Sequence, residues 1–281
     1  MSMFNDMIDE SKARVAVIMS VYRSDKFADI EKAIDSILKQ TYPCSLYLYQ
    51  DGPVSTEVST LLNSISDVYA NVTLMVSTVN CGLAHALNTM IEKVMAEGYE
   101  FIARMDSDDI SHPTRIAKQI AYFKQHPEVD VLGASCHEFG ASYALVEKHL
   151  PKSHAELVDF SVARCPFIHP TVMFRARLFF NGVRYPTDTK LTEDMALWLK
   201  LIEDGYRLAN LNEVLLDYRL NENAVKRRQG IGKAISEFDI RFKHMRAMKK
   251  STPKNIVLIS LRLLFHVLPL PIIKALYRVA R

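Results

Sequence analysis

The sequence Y-E-F-I-A-R-M-D-S-D-D at residues 99–109 gives the clearest indication of the architecture. Its apolar run, Phe101 to Met105, is short and ends in three carboxylates, Asp106, Asp108 and Asp109. Such a run is typical of a strand buried on both faces of a parallel α/β sheet, and ligands bind just beyond the carboxyl ends of these strands. We therefore expect the three acids to lie at a ligand site.

Three carboxylates so close together repel one another, and each holds its proton more tightly unless a cation or hydrogen-bond donors neutralise it. Hard oxygen ligands suit Mg²⁺ or Mn²⁺, which commonly bridge one or two carboxylates to the phosphates of a substrate. The stretch therefore predicts a divalent cation site. The alternative is a solvated turn before the next helix, because Asp-Asp followed by Ser-x-Pro is also good turn chemistry.

Short apolar runs alternate with helical patterns on both sides of this stretch, which is the pattern of a doubly wound α/β fold. Beyond Gly140 the pattern becomes irregular. The predicted strands are residues 14–22, 46–49, 72–76, 101–105 and 129–133, and the predicted helices cover about residues 30–38, 58–65, 82–97, 113–123, 155–163 and 192–203.

Polar residues follow several of the predicted strands. Ser20 and Tyr22 close the first strand, Asp51 follows the second, and the acids after Met105 follow the fourth. Because the carboxyl ends of parallel strands meet at one edge of a sheet, we expect these side chains to share a rim.

Length and composition fit one large α/β domain with an appendage, at 281 residues with ordinary apolar and charged fractions. The four cysteines lie 29 to 55 residues apart without a C-x-x-C pair. This spacing argues against a zinc site and a disulfide framework, and it suits a reducing compartment. The first ten residues lack the basic and apolar regions of a secretion signal, so we expect a cytoplasmic protein.

Charge is distributed unevenly along the chain. Residues 226–281 contain 14 Lys and Arg against two acids, whereas the preceding 225 residues carry 21 bases and 30 acids. Residues 256–276 are largely apolar, but charges and prolines interrupt them too often for a spanning helix.

This tail pattern favours a membrane-surface anchor, with basic residues at anionic headgroups and apolar ones at the acyl boundary. The alternatives are packing on the preceding domain and a dimer interface. The apolar content and the lack of an aromatic platform argue against binding of nucleic acid.

In their order along residues 14–220, the motifs closely resemble the family 2 glycosyltransferases, inverting enzymes of the GT-A fold that use nucleotide sugars. The matching segments are V-I-M-S-V-Y (17–22), A-I-D-S-I-L-K-Q-T-Y (33–42), Q-D-G-P (50–53), N-x-G-L-A-x-A-L-N (80–88), F-I-A-R-M-D-S-D-D (101–109), P-x-R (113–115), H-P-T-V-M-F-R (169–175), E-D-M-A-L-W (193–198) and L-L-D-Y-R (215–219).

The resemblance implies a GT-A domain, a doubly wound mixed sheet with helices on both faces, over residues 1–225. Its nucleotide-binding half would cover about residues 14–134 and its acceptor-binding half about 135–225. A basic and apolar helical tail, which we expect to associate with a membrane, would follow over residues 226–281.

The resemblance also implies roles for the rim residues. Ser20, Tyr22 and Asp51 would contact the nucleoside, Asp106 would lie near the ribose, and Asp108 would bind the Mn²⁺ or Mg²⁺ ion that bridges the diphosphate. Where many members have D-D-G-S, this chain has Q-D-G-P at residues 50–53, which leaves Asp51 as the only acid of the turn.

Asp194 matches the general base of the family; the alternative is a helix N-terminal charge favoured by the dipole. His169 would line the donor or acceptor pocket, or else be a packed, hydrogen-bonded residue. Arg219 would clamp a phosphate or form a structural pair near Asp217. Trp198 lies at helical spacing with apolar neighbours, which favours a core position over stacking on a sugar.

The resemblance implies transfer of a hexose, galactose or glucose, from a UDP-sugar to a polyprenyl-diphosphate-linked glycan, with a β-1,3 linkage favoured. The enzyme would assemble surface polysaccharide such as O-antigen while attached peripherally to the inner face of the plasma membrane. A nucleotidyltransferase, which would release pyrophosphate, is an alternative. A membrane-bound scaffold with an inactive site is another alternative. The presence of all four acids that the resemblance assigns to the site, Asp51, Asp106, Asp108 and Asp194, argues against it.

Overall fold

The computed structural model describes residues 12–189, 192–222, 230–265, 268 and 272–273. Its centre is a mixed sheet of eight strands. They are β1 (Val15–Tyr22), β2 (Ser45–Asp51), β3 (Val72–Ser77), β4 (Phe101–Asp106), β5 (Ile110–Ser111), β6 (Val131–Phe139), β7 (Met173–Arg175) and β8 (Leu208–Arg219), in the spatial order β3-β2-β1-β4-β7-β6-β8-β5.

Helices cover both faces of this sheet. They are α1 (Phe27–Leu38), α2 (Thr56–Val68), α3 (Leu83–Ala96), α4 (Arg115–Gln125), α5 (His154–Ser161), α6 (Arg177–Phe180), α7 (Glu193–Glu203), α8 (Ile231–Ala247) and α9 (Pro253–Phe265), and a 3₁₀ turn lies at His169–Thr171.

The apolar runs are continuous because each central strand is buried on two sides. In β1, Val17 and Met19 pack with α1, α2 and α4, whereas Ala16 and Ile18 pack with α3 and α7. Strands β1 to β4 are parallel, so they all end at the same edge of the sheet. The predicted α/β sheet with helices on both faces is confirmed.

The second half of the sheet differs from the sequence prediction. The strand predicted at residues 129–133 begins at Val131 and continues to Phe139, and β7 and β8 were not predicted. Strand β7 has only three residues, and β8 pairs with β6 through two register shifts near Ser135. Such irregular pairing breaks the apolar alternation on which strand prediction depends.

The helices α8 and α9 pack on the body through buried charges. His244 Nδ1 lies 2.8 Å from Glu203 Oε1 of α7. The carboxylate of Glu237 accepts from Arg241 Nε at 2.9 Å and from Arg262 Nε at 2.8 Å, which joins α8 to α9. Hydrogen bonds of His244 to Glu203 and of Arg241 to the Ser161 carbonyl therefore hold this part of the tail on the rest of the fold.

Several tail predictions concern residues outside the described ones, namely residues 226–229, 266–267, 269–271 and 274–281. The same holds for the prediction made from the first ten residues. Within the part of the chain that is described, no helix is both long and apolar enough to cross a membrane.

Gly52 is the tightest point of the β2 exit turn. Its φ is +81°, and a Cβ atom there would lie 2.6 Å from the backbone nitrogen of Asn80. Gly205 has a similar φ of +84° but no atom within 4 Å of such a Cβ. Both positions disfavour a side chain through backbone strain, but only Gly52 also meets a steric barrier.

We predict that Gly205→Ala lowers the free energy of unfolding by about 1–2 kcal/mol through backbone strain alone. Gly52→Ala should cost about 1–3 kcal/mol more because the loop at Asn80 must move away. Urea denaturation of both variants measures the difference. Equal losses would contradict the close approach of the two loops.

Candidate active site

Strand register brings the predicted rim residues together. In the β1–β2 ladder Tyr22 pairs with Asp51, and in the β1–β4 ladder Ser20 pairs with Asp106. Tyr22 is 36% exposed, whereas Asp51 is 2% exposed. The ends of β1, β2 and β4 therefore place these four residues side by side at one edge.

Asp51 anchors the loop that precedes α3. Its Oδ1 accepts from the backbone N–H of Cys81 at 2.8 Å, and its Oδ2 accepts from that of Gly82 at 3.0 Å. Asn80 Nδ2 donates to the Asp51 carbonyl at 3.0 Å. The carboxylate thus satisfies amides at the start of a helix, and its contact with a nucleoside stays a prediction.

The three acids after β4 form a compact cluster. One oxygen each from Asp106, Asp108 and Asp109 can be chosen so that all lie within 4.8 Å of one another. Asp109 is fully buried, and its Oδ2 has no hydrogen-bond partner among the described residues. A buried, unpartnered carboxylate oxygen beside two other acids is a donor set that suits a hard divalent cation.

The raised pKa values of Asp108 and Asp109 reflect their burial first and the repulsion of neighbouring acids second. Burial, together with the charges of Asp106 and Asp25, raises the pKa of Asp108 to about 7. Burial and the charges of Asp106 and Asp108 raise the pKa of Asp109 well above its usual value. A cation among them would favour the ionised forms, so the residues present fit Mn²⁺ or Mg²⁺.

Arg219 holds the acid loop from the side of β8. Its backbone N–H donates to Asp109 Oδ1 at 2.7 Å, and its Nε donates to the Asp108 carbonyl at 2.9 Å. Its Nη2 lies 2.9 Å from Asp29 Oδ1 on α1. Asp217 lies instead against two histidines, so the structural partner of Arg219 is Asp29. A phosphate contact of Arg219 stays a prediction.

Arg104 is a buried, positively charged residue that contacts Asp106. It is 2% exposed, and its Nη2 forms an ion pair with Asp106 Oδ1. Its Nε and Nη1 lack hydrogen-bond partners within the described residues. Arg115, by contrast, donates from Nη2 to the Arg104 carbonyl at 2.7 Å, as a structural residue would.

His169 packs in an aromatic cluster near Arg104. Its Nε2 lies 2.9 Å from the hydroxyl of Tyr185, and its ring lies edge-on to Trp198. Burial and the charge of Arg104 hold the pKa of His169 well below its usual value, so the imidazole is neutral. Trp198 is fully buried, which confirms its predicted core position.

The Asn88 amide fixes the Tyr185 backbone beside this cluster. Asn88 Oδ1 accepts from the Tyr185 N–H, and its Nδ2 donates to the Tyr185 carbonyl, both at 2.8 Å. The N-x-G-L-A-x-A-L-N segment therefore positions Tyr185 from α3.

Asp194 lies in the first turn of α7, where its Oδ1 accepts from the Met195 N–H at 2.7 Å. Burial raises the pKa of Tyr185, and the charges of Asp194, Glu193 and Asp106 raise it further. The N-terminus of α7 and the end of β4 therefore both lie near the Tyr185 phenol. The role of Asp194 as the general base stays a prediction.

Asp25 is a further acid of the site that the sequence prediction missed. Its Oδ2 accepts from the Tyr22 N–H at 3.0 Å and from the Ser107 hydroxyl at 2.7 Å. Burial, opposed in part by these hydrogen bonds, raises its pKa to about 6. The one signal in the sequence was an Asp three residues after the end of a strand, a common turn pattern.

Residues 16–179, more than half of the chain, match the protein family described as Glycosyl transferase family 2. The chain is 30% identical over 266 residues to the amylovoran biosynthesis glycosyltransferase AmsE of Erwinia amylovora, covering 93% of this chain and 97% of that protein. It is 29% identical over 265 residues to the UDP-Gal:alpha-D-GlcNAc-diphosphoundecaprenol beta-1,3-galactosyltransferase of Escherichia coli, covering 93% and 94%.

Among solved structures, the chain resembles the mannosyltransferase PcManGT from Pyrobaculum calidifontis in complex with GDP-Man and Mn²⁺. The TM-score is 0.64 at 19% identity, over 96% of this chain and 74% of that one. At this identity the likeness concerns the fold alone. It confirms the predicted fold class, a mixed α/β sheet of the GT-A type.

The raised pKa of Asp108 predicts a pH dependence of stability in metal-free protein. The unfolded chain releases the Asp108 proton near pH 3.8, whereas the folded chain keeps it to about pH 7. The free energy of unfolding should therefore fall as pH rises between these values. Asp108→Asn should weaken this dependence, which Asp109 and Asp25 continue to contribute to through their own raised pKa values, and it should be more stable than wild type at pH 8 by about 1–3 kcal/mol.

Urea denaturation in chelator at pH 5 and pH 8 measures this effect. Asp35→Asn, which removes an exposed carboxylate paired with Lys39, is the matched control and should retain the wild-type slope. Mn²⁺ should then stabilise wild type but not Asp108→Asn. Parallel pH curves for wild type and Asp108→Asn would contradict the assignment.

Proposed function

The chain belongs to glycosyltransferase family 2, and from that premise we propose that it transfers a hexose from a UDP-sugar, with inversion, to a lipid-linked diphosphate sugar. Galactose or glucose is the hexose we favour, with a β-1,3 linkage. The observation that carries the proposal is the convergence of Ser20, Tyr22, Asp51 and the acid cluster at one sheet edge. The relative from Escherichia coli, whose name gives UDP-Gal as donor, supports this choice.

The nucleotide half of the proposed site is the rim of β1, β2 and β4, within residues 14–134. Ser20, Tyr22 and Asp51 would hold the nucleoside, and Asp106 would lie near the ribose. Asp108 would bind Mn²⁺ or Mg²⁺, and Asp106 and Asp109 would contribute further negative charge. When bound, the ion supplies a Lewis acid for the charge that develops on the leaving diphosphate.

The acceptor half of the proposed site, within residues 135–225, contains the base. Asp194 would accept the proton of the acceptor hydroxyl at a carboxylate oxygen, because an uncharged hydroxyl is a weak nucleophile. With this single base, the acceptor hydroxyl would attack the sugar from the face opposite the leaving diphosphate. Such a single displacement inverts the configuration of the sugar carbon that is attacked. Neutral His169 would add an uncharged hydrogen-bonding group to the pocket, and Arg219 would add positive charge near the diphosphate.

A lipid-linked acceptor requires access to a membrane, and we propose that α8 and α9 provide it at the inner face of the plasma membrane. Over residues 230–265 the chain has eight Lys and Arg and two acids. The outer side of α9 exposes apolar side chains, with Val257 at 56% and Leu261 at 48%, beside exposed Lys254. An exposed apolar row flanked by cations suits an anionic lipid surface.

The function is tested by incubating the chain and Mn²⁺ with UDP-Gal, UDP-Glc, UDP-GlcNAc or GDP-Man and a polyprenyl-diphosphate GlcNAc acceptor. We expect a β-linked product and release of UDP from UDP-Gal or UDP-Glc, abolished by chelator. NMR of the product gives the linkage. Pyrophosphate release, or no transfer from any donor, would refute the proposal.

Two variants of adjacent acids in α7 complete this test. Asp194→Asn should lower kcat by about 10²–10⁴-fold while UDP binding is retained, because only the proton acceptor is lost. Glu193→Gln, in the same helical turn, should keep most activity. A rate near wild type in Asp194→Asn would mean that another group is the base.

The membrane proposal predicts binding to vesicles that contain phosphatidylglycerol and little binding to phosphatidylcholine alone. The double variant Val257→Ser and Leu261→Ser should reduce cosedimentation about tenfold, because each apolar side chain buried in lipid contributes to binding. Deletion of residues 251–281 should abolish it.

The matched control is Val68→Ser with Val146→Ser, two apolar residues exposed elsewhere on the chain. This control should bind vesicles as wild type does. If the control variant lost vesicle binding, or if the α9 variant bound vesicles as wild type does, the lipid contact would lie elsewhere on the chain.

A further inference from the structure

The acid loop is held from two sides, and one of these supports is Asp25. Ser107 lies between Asp106 and Asp108 and is 7% exposed. Its hydroxyl donates to Asp25 Oδ2 at 2.7 Å, and the same oxygen accepts from the Tyr22 N–H. Asp25 therefore connects the end of β1 to the middle of the acid cluster.

The other support of the loop is Arg219, which holds the Asp108 carbonyl and Asp109 Oδ1. Arg219 is itself paired with Asp29 in the first turn of α1. Both supports therefore depend on the start of α1, because Asp25 precedes this helix and Asp29 lies within it. Together, the two supports contact the loop of Asp106, Asp108 and Asp109 on both sides.

We propose that Asp25 is a positioning residue for the cation site, which accepts the Ser107 hydroxyl and thereby sets the directions of the Asp106 and Asp108 carboxylates. Asp25 acts through Ser107 and does not itself bind the ion. This inference rests on the cation site of the proposed function and adds a residue to it. Partners that orient ligands in this way commonly change metal affinity 10- to 100-fold when they are removed.

The energetic setting of Asp25 supports a requirement for its oxygen. Burial, with smaller contributions from Asp106 and Asp29, raises its pKa to about 6, so a charge is kept at a site that disfavours it. This one buried oxygen accepts from two donors, the Tyr22 N–H and the Ser107 hydroxyl, whereas closing the turn after β1 needs only the first of these bonds.

The test measures Mn²⁺ affinity of the full chain by electron paramagnetic resonance, with UDP present. Asp25→Ala and Ser107→Ala should each weaken Mn²⁺ binding at least tenfold, and the double variant should be no weaker than either. Asp25→Asn should bind Mn²⁺ within about threefold of wild type, because its amide oxygen accepts the same two hydrogen bonds. If Asp25→Asn keeps the Mn²⁺ affinity, then Asp25 acts by accepting hydrogen bonds and its negative charge is not required.

Asp35→Ala, an exposed acid on α1, is the control and should bind Mn²⁺ as wild type does. Urea denaturation identifies any variant that fails to fold, and the Asn variant keeps the test decisive in that case. An Asn variant as weak as Ala would make Asp25 a ligand or a charge, which overturns the inference. Wild-type affinity in both Ala variants would also overturn it.

These results separate the inference from the proposed function. A wild-type chain that binds no Mn²⁺ in the presence of UDP overturns both the cation site and the role of Asp25. Tight wild-type binding with unchanged Asp25→Ala overturns the role of Asp25 alone.

Discussion

The mutual repulsion of the carboxylates after β4 is the constraint on which the rest of the site depends. The parallel register of β1, β2 and β4 brings the acids to one edge, and burial then raises the pKa values of Asp108 and Asp109. Arg104 and Arg219 flank the cluster and supply opposite charge. Nevertheless, Asp109 keeps a buried oxygen that has no hydrogen-bond partner among the described residues, so these residues leave part of the edge unsatisfied.

Arg219 and Arg104 both stabilise the loop of Asp106, Asp108 and Asp109, but through different contacts. Arg219 uses its backbone and its Nε to fix the path of the chain, whereas Arg104 pairs with one carboxylate directly. Burial keeps the imidazole of His169 neutral by lowering its pKa, and the charge of Arg104 lowers that pKa further. A single buried cation therefore influences both the acid edge and the aromatic cluster beside α7.

The first half of the fold could be predicted because its signals are local. Strands β1, β2 and β4 are short apolar runs buried on both faces, and the polar residues at their ends lie on the same rim, namely Ser20, Tyr22, Asp51 and Asp106. Strand β8 was missed because its pairing with β6 shifts register, which no local pattern records. The ion pair of Arg219 with Asp29 and the bond of Asp25 with Ser107 join distant segments, so composition and spacing could not reveal them. The packing of α8 likewise depends on Glu237 and its two arginines, whereas the sequence displayed only their net charge.

The interleaving of the sheet has a consequence for recombination among relatives. Strand β7 lies between β4 and β6, β5 pairs with β8, and Arg219 of β8 completes the loop after β4. A chimera in which the later half of the chain came from a relative would therefore place a residue of that relative, instead of Arg219, opposite Asp29. Crossovers that transfer this pair together keep the acid loop intact, and this linkage limits where gene fusion can join segments from two relatives.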